Sequence, residues 1–451
     1  MKDYIKKYKE YLELIIPIII RIIIYSNMKR YVLLGDSQDY ISIEAGEYLN
    51  GFIHKRRMPL YPILIDFSEF IAKKLGNIEG LDILVTVQMT LGIISLIVFR
   101  KILEQWGIGK TMSYIMTLAY TLVPVWVFDK IILTESLAIS GTVFFINIIS
   151  KYINNPNRKS GILAITLSLF LTMLRPTFII NIVGVLIFYC IRFWASKEER
   201  RVLIWGILVG IFSLSIVHGY SVKFYENYGV YSLSATKVNQ DFITTIMHHM
   251  NYLDSDNELS LAVQEEYDVV YDSQHENHDL LSIPDNVINK IDCNLKEISD
   301  YVDNCKRNNK MAYLKYYIMT LYYMMPLSPF ENIYYGTNIY NCNYLYADEL
   351  FISVTSKEIG GFLLKTISVF AGEIRYVHLY LLLIILIIQL KKNVKLSWLY
   401  LGLIMFILAN ILLAVYGTCG EFGRTSICVI PYSYVAVAII LNDLRKGLTN
   451  G

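Results

Sequence analysis

Residues 35–62 read Gly35-Asp36-Ser37-Gln38-Asp39-Tyr40-Ile41-Ser42-Ile43-Glu44-Ala45-Gly46-Glu47-Tyr48-Leu49-Asn50-Gly51-Phe52-Ile53-His54-Lys55-Arg56-Arg57-Met58-Pro59-Leu60-Tyr61-Pro62. Gly35 and Asp36 suit a helix start, because a carboxylate at the N-cap accepts from backbone N–H groups that have no partner inside the helix. Gly51 suits its stop. Wound at about 100° per residue, Asp36, Asp39, Tyr40, Ile43, Glu44 and Glu47 fall on one side, and Ile41, Ala45, Tyr48, Leu49 and Phe52 on the other. A helix with one acidic and one apolar face is expected to lie along a bilayer surface. The basic cluster Lys55-Arg56-Arg57 follows, and Pro59 and Pro62 then impose extended chain. Acid and base therefore meet across one short loop.

The surroundings of this stretch set the fold class. Of 451 residues, 55% are hydrophobic and 18% are charged, below the roughly 25% charged of soluble domains. Mean hydropathy is +0.42. The 36 tyrosines suit the interfaces of spanning helices. Net charge is only +2, so no field for nucleic acid is implied.

Apolar runs place spans at about 11–30, 81–99, 111–128, 131–149, 161–174, 177–194, 202–220, 376–390, 396–416 and 425–441. Lys2, Lys6, Lys7 and Lys9 keep the N-terminus inside, as do Arg100, Lys101, Lys197, Arg200, Arg201, Lys391, Lys392 and Lys395 for later inner loops. The first span has no small-residue cleavage site after it and reads as a retained signal anchor. The expectation is an all-α polytopic membrane protein of about ten transmembrane helices, with both ends inside. An amphipathic helix lies in its first outer loop, and a soluble extracytoplasmic segment comes later.

Three regions follow from this. Residues 1–220 form a transmembrane core whose first outer loop spans about 31–80. Residues 221–375 form an extracytoplasmic region rich in Asp, Asn, Glu and His, with interfacial helices. Within it, 312–330 is apolar and Tyr-rich, and is expected to be interfacial or re-entrant, because one more crossing would spoil the charge parity downstream. Residues 376–451 hold the C-terminal spans. The chain shows no internal repeat, which argues against common transporter folds.

Several single residues carry expectations. Arg21 interrupts an isoleucine run and must face other helices or snorkel. Asp129-Lys130 is expected to be a tight outer turn. Glu135, a carboxylate near the end of a span, is read as functional. Cys190 and Cys428 lie in apolar runs and read as packing residues. Cys293, Cys305, Cys342 and Cys419 are external, and a Cys293–Cys305 disulfide is one option. His248, His249, His275 and His278 read as surface residues and form no metal motif. There is no Walker loop, dinucleotide glycine pattern or nucleophile elbow, so a nucleotide-sugar donor has no support.

The order of motifs resembles the GT-C glycosyltransferases, including protein O-mannosyltransferase-like and aminoarabinose-transferase-like enzymes. The carriers are Gly35-Asp36-Ser37 with Tyr40, then Arg57-Met58-Pro59-Leu60-Tyr61-Pro62, then Leu133-Thr134-Glu135-Ser136-Leu137. Leu174-Arg175-Pro176 and Glu421-Phe422-Gly423-Arg424 fit more loosely. The resemblance covers about residues 10–220, and where the family often shows Asp-Glu this chain has Asp36-Ser37.

The resemblance implies transfer of a sugar from a polyprenyl-phosphate carrier to a glycan, lipid or protein acceptor outside the cytoplasm, in a multi-pass plasma-membrane enzyme. Phosphate is already a good leaving group, so one carboxylate near the acceptor hydroxyl suffices as base. The catalytic candidates are Asp36, then Asp39, with Glu135 part of the site. Arg57 and Arg175 are candidates for the donor phosphate through charge-assisted bonds, and Tyr40 and Tyr61 for substrate contact. The resemblance allows a divalent metal ion, for which the sequence names no ligands.

Each assignment has a structural counterpart. Asp36 can cap a helix, and Asp39, Glu44 and Glu47 can form a solvated face. Arg56 and Arg57 can meet membrane lipid headgroups. Arg175 can cap its helix or touch lipid, and Glu421 with Arg424 can be an i, i+3 ion pair. The alternative functions are a polymerase or ligase of lipid-linked glycans, and a transporter or flippase. A transporter should hold its charges at mid-membrane, whereas here they gather at the outer edge.

Overall fold

The apolar runs fold as helices in the computed structural model, which describes residues 2–49, 51, 53–272, 282–291, 293–319, 350–362, 377–390, 394–417 and 426–449. In chain order these are α1 (Lys2–Asn27), α2 (Gly35–Ile41), α3 (Ala45–Leu49), α4 (Leu60–Leu75), α5 (Gly80–Gln105), α6 (Lys110–Leu122), α7 (Glu135–Asn154), α8 (Arg158–Leu174), α9 (Ile179–Ala195) and α10 (Arg200–Tyr228). Then come α11 (Thr236–Met247), α12 (Glu258–Asp272), α13 (Ser282–Ile291), α14 (Leu295–Asn308), α15 (Lys310–Met319), α16 (Val377–Gln389), α17 (Val394–Gly417) and α18 (Ile430–Thr449). Among the described residues β-pairing is limited to two isolated bridges, Met28 with Phe351 and Val32 with Ile131.

Among the described residues, five helical stretches are long and apolar enough to cross a membrane: Gly80–Gln105, Glu135–Asn154, Pro176–Ala195, Arg200–Tyr228 and Ile427–Lys446. The chain is an integral membrane protein. The expected count of ten spans is neither confirmed nor excluded by these five. Helices α6, α8 and α16 have 13, 17 and 13 residues, short of the ~20 that a perpendicular crossing needs. They are nevertheless part of the bundle, α6 packing on α1 and α5, α8 on α7 and α10.

Three local expectations change. The helix expected over 35–51 is two short helices, because the chain turns at Ser42, whose N–H donates to Gln38 O at 2.9 Å. Ser competes with helical bonding and β-branched Ile41 and Ile43 flank it. Leu34, not Asp36, occupies the N-cap of α2, and its N–H donates to Ser37 Oγ at 2.9 Å. On the side expected to be acidic, Tyr40 and Ile43 are buried while Glu44 and Glu47 are exposed, and both short helices pack on α4. Gly51 does close the segment, at φ +81°.

The span expected at 111–128 ends early. Pro124 follows α6, and residues Pro124–Lys130 form a 3-10 helix. Pro lacks the N–H that would continue the α-helical ladder. Asp129 and Lys130 are therefore not an exposed turn but are 4% and 8% exposed.

Arg21 faces other helices, and its partner is Asp129 at 3.6 Å. Asp129 also accepts from the Tyr25 hydroxyl and from Ser136 Oγ at 2.6 Å. Gly92 makes room for this cluster, since a Cβ there would lie 2.5 Å from Asp129 Oδ2 and 2.9 Å from Tyr25 Oη.

The polar region has its own hydrophobic core, built from α11–α15 with Phe224 of α10 and Ile53 of the first loop. Cys293 and Cys305 are buried there and unbridged, so the disulfide option falls away and both behave as small apolar side chains. Of the interfacial segment expected at 312–330, the first part lies in α15. Residues 320–330, together with His275, His278, Cys342, Cys419, Glu421 and Arg424, lie outside the described residues.

Candidate functional site

The ends of α1, α6, α8 and α10 and the starts of α5, α7 and α9 share one end of the bundle, and the sequence candidates gather there. Val32 and Ile131 tie the first loop to the segment before α7: Val32 N donates to Lys130 O at 2.9 Å, and Ile132 N to Val32 O at 3.1 Å.

The basic loop 53–58 is folded by one histidine. His54 Nδ1 accepts from the backbone N–H groups of Arg56 and Arg57, at 3.2 and 3.1 Å. Burial lowers the His54 pKa, with the charges of Arg57 and Arg56 adding to the effect and Asp39 opposing it. Accepting these two bonds requires the lone pair on Nδ1, and the lowered pKa favours the neutral ring that has it. Elements from elsewhere hold the loop's carbonyls: Tyr48 Oη donates to Arg57 O, Tyr228 Oη to Ile53 O and Ala235 N to Lys55 O, at 3.2, 2.6 and 2.7 Å. Two of these donors belong to the second core's side of the molecule.

Arg57, so held, turns its guanidinium onto both acidic residues of α2. Nη2 lies 2.8 Å from Asp36 Oδ1 and 2.8 Å from Asp39 Oδ2, and Nε donates to Asp39 at 3.2 Å. The guanidinium carbon stands 4.7 Å from the centre of the Tyr40 ring, a cation–π distance. Burial alone would lower the Arg57 pKa, but the charges of Tyr40 and Asp36 and the bonds to both carboxylates outweigh it and raise it. The Arg57 side chain is 15% exposed, those of Asp36 and Asp39 37% and 35%. Nη1 makes no hydrogen bond among the described residues.

Tyr40 meets Tyr61 edge to face at 5.1 Å. Tyr61 is fully buried. Its hydroxyl donates to Gln88 Oε1 at 2.7 Å, and Gln88 Nε2 donates to Ile131 O at 3.1 Å and Asp129 O at 3.3 Å. Tyr61 therefore props Tyr40 from below. Gln88, His54 and Asp129 are the contributors missed by sequence reading. Gln88 inside an apolar run was the available signal, since a buried amide needs partners.

Glu135 and Arg175, read separately from sequence, are together: Arg175 Nη1 lies 3.4 Å from Glu135 Oε1. Glu135 is completely buried and opens α7, and Thr134 Oγ1 reaches its Oε2 at 3.4 Å. Arg175 is placed by the break between α8 and Pro176, where it is extended at φ −146°.

Globally the arrangement has a precedent. The chain shares its fold with an oligosaccharyltransferase. This is AglB from Archaeoglobus fulgidus, solved in complex with an inhibitory peptide and a dolichol-phosphate. The match has a TM-score of 0.50 at 13% identity, over 99% of this chain and 52% of AglB. The chain thus spans about half the length of that neighbour, and at this identity the likeness speaks for the fold alone. In sequence, no family model and no curated protein matches.

Among the described residues no three His, Cys, Asp or Glu side chains converge. The two carboxylates that do converge already share a guanidinium.

Proposed function

We propose that the chain is a membrane glycosyltransferase that moves a sugar from a polyprenyl-phosphate donor to a glycan, lipid or protein acceptor. The observation that carries this is the Arg57 fork, with one edge on Asp36 and Asp39 and Nη1 left over. A guanidinium with one edge anchored and another available suits a phosphate oxygen. The fold shared with AglB, solved with a dolichol-phosphate, supports a lipid phosphate as the ligand.

The step is an inverting displacement. The acceptor hydroxyl oxygen forms a bond to the anomeric carbon, the bond from that carbon to the phosphate oxygen breaks, and polyprenyl phosphate departs as an anion. Asp36 takes the hydroxyl proton, and Asp39 shares the Arg57 anchor and keeps the fork in place. Tyr40 supports the guanidinium from its face, and Tyr61 positions Tyr40. Arg175, held by Glu135, provides a second cation for the departing phosphate. The site faces the exterior of the plasma membrane, and the region from 221 onward, which already grips loop 53–58, shapes the acceptor side.

Purified full-length protein supplied with labelled polyprenyl-phosphate sugar tests the proposal. The expected result is release of polyprenyl phosphate that depends on acceptor. Movement of the intact lipid between leaflets with no cleavage would overturn it in favour of a flippase.

A further inference from the structure

A cavity of about 330 Å³ opens between α7, α9 and α17, lined by side chains such as Ile149, Ile187, Trp398 and Met405. Ile187 and Met405 are 46% and 47% exposed, so the cavity opens sideways, where lipid would lie. From residue 180 to 191 along α9 it runs for roughly 16 Å, about half the ~30 Å hydrocarbon thickness.

Two features distinguish it from an ordinary crevice between helices. First, two of its lining residues are glycines inside helices. Gly184 and Gly402 line it, and a Cβ added to either meets no atom within 4 Å. Packing therefore does not require glycine there, and glycine is a poor helix former by about 1 kcal/mol. Second, its end nearest Arg175 is polar and unsatisfied. Asn181 and Tyr432 line that end, 2% and 4% exposed. Among the described residues, Asn181 Nδ2 and Oδ1 and the Tyr432 hydroxyl have no hydrogen-bond partner. The Tyr432 ring is fixed by stacking on Phe406 at 3.7 Å. Cys428, one turn before Tyr432, lies in a 3-10 turn, Ser426–Val429, that packs on α7, the helix opened by Glu135, so the polar end lies on the side of that ion pair. Buried amides and hydroxyls are nearly always bonded, and these three atoms await oxygen or hydroxyl groups from a ligand.

We propose that this groove holds the isoprenoid chain of the polyprenyl-phosphate donor, with Asn181 and Tyr432 bonding to the oxygens at its phosphate end beside Arg175. The inference rests on the reading of the chain as a polyprenyl-phosphate glycosyltransferase. Asn181 and Tyr432 select an oxygen-bearing head, and the glycine-lined trough admits a branched chain alongside α9 and α17.

The test uses the full chain in nanodiscs of phosphatidylethanolamine and phosphatidylglycerol. Its probe is sugar-free polyprenyl phosphate bearing a benzophenone at the chain end. Photo-crosslinks are expected on α9 and α17. Gly184→Phe and Gly402→Phe should each cut crosslinking and bound probe at least tenfold, with the melting temperature unchanged or raised. Asn181→Leu should weaken binding about tenfold, the size of one hydrogen bond to a charged group, while raising the melting temperature. A residue that merely fills space would not move the two readouts in opposite directions. Plugged variants that bind like the wild type, or a probe fully displaced by phosphatidylglycerol, would overturn the groove assignment. Groove binding of this sugar-free probe, with no release from labelled polyprenyl-phosphate sugar in a separate assay, would count only against the glycosyltransferase reading. Transfer with wild-type donor dependence in both plugged variants would count only against the groove.

Discussion

Arg21 with Asp129 and Arg57 with Asp36 and Asp39 are arginine–aspartate groups at the same end of one bundle, built on opposite terms. The first is sealed, with side chains 2% and 6% exposed. Its carboxylate is used by Tyr25, Ser136 and Arg21 together. The second is half open, with its aspartates at 37% and 35% exposure and Nη1 of the arginine to spare. The buried pair fixes α1 against the 124–136 segment, and its burial keeps it from solvent and ligand alike. A pair at the surface contributes little to folding, at most about 1 kcal/mol per exposed bridge, and keeps its bonding capacity for chemistry. The same two residue types thus hold the frame in one place and are available for reaction in the other.

The contrast breaks most visibly if the sealed pair is opened. Asp129→Ala leaves Arg21 charged and buried, and should cost about 3–5 kcal/mol, read as a large drop in melting temperature and yield in detergent. The open pair should respond in activity instead. Arg57→Lys keeps the charge but loses the fork, and should raise the donor KM about 10- to 100-fold with an unchanged melting temperature. Gly92→Ala pushes a methyl group toward Asp129 Oδ2 and Tyr25 Oη. It should cost about 1–3 kcal/mol in thermal melts without altering KM.

The smallest effect concerns pH. Burial lowers the His54 pKa, so the unfolded loop binds a proton more readily than the folded one. The loop's stability is complete above the unfolded value of about 6.5 and is lost as pH falls below it. Transfer assayed between pH 7.5 and 5 should therefore decline in the wild type. It should be flatter in His54→Asn, whose side-chain oxygen can accept the same two N–H groups without titrating.

Sequence reading reached the open group more easily than the sealed one, for a physical reason. Asp36, Asp39 and Arg57 lie in a single loop, so helical phase and charge alone bring them into one neighbourhood. Asp129 meets Arg21 only through the packing of α1, α5 and the 3-10 segment, over 100 positions apart in the chain, and no local periodicity records that. Pro124 was the available sign that the third apolar run does not continue as α-helix. A count of apolar residues cannot tell a span from a buried 3-10 segment, since both are apolar. His54 was hidden for another reason: its role is to accept backbone N–H groups, which any loop histidine can do.

The central claim is that Asp36, held by Arg57, removes the acceptor proton. The most direct test is acceptor-dependent release of polyprenyl phosphate by Asp36→Asn beside the wild type, at matched expression and melting temperature. The expected result is a loss of about 10²- to 10⁴-fold, the contribution of a general base, with donor binding retained. Release at the wild-type rate would contradict the claim and leave Asp36 as a structural partner of Arg57.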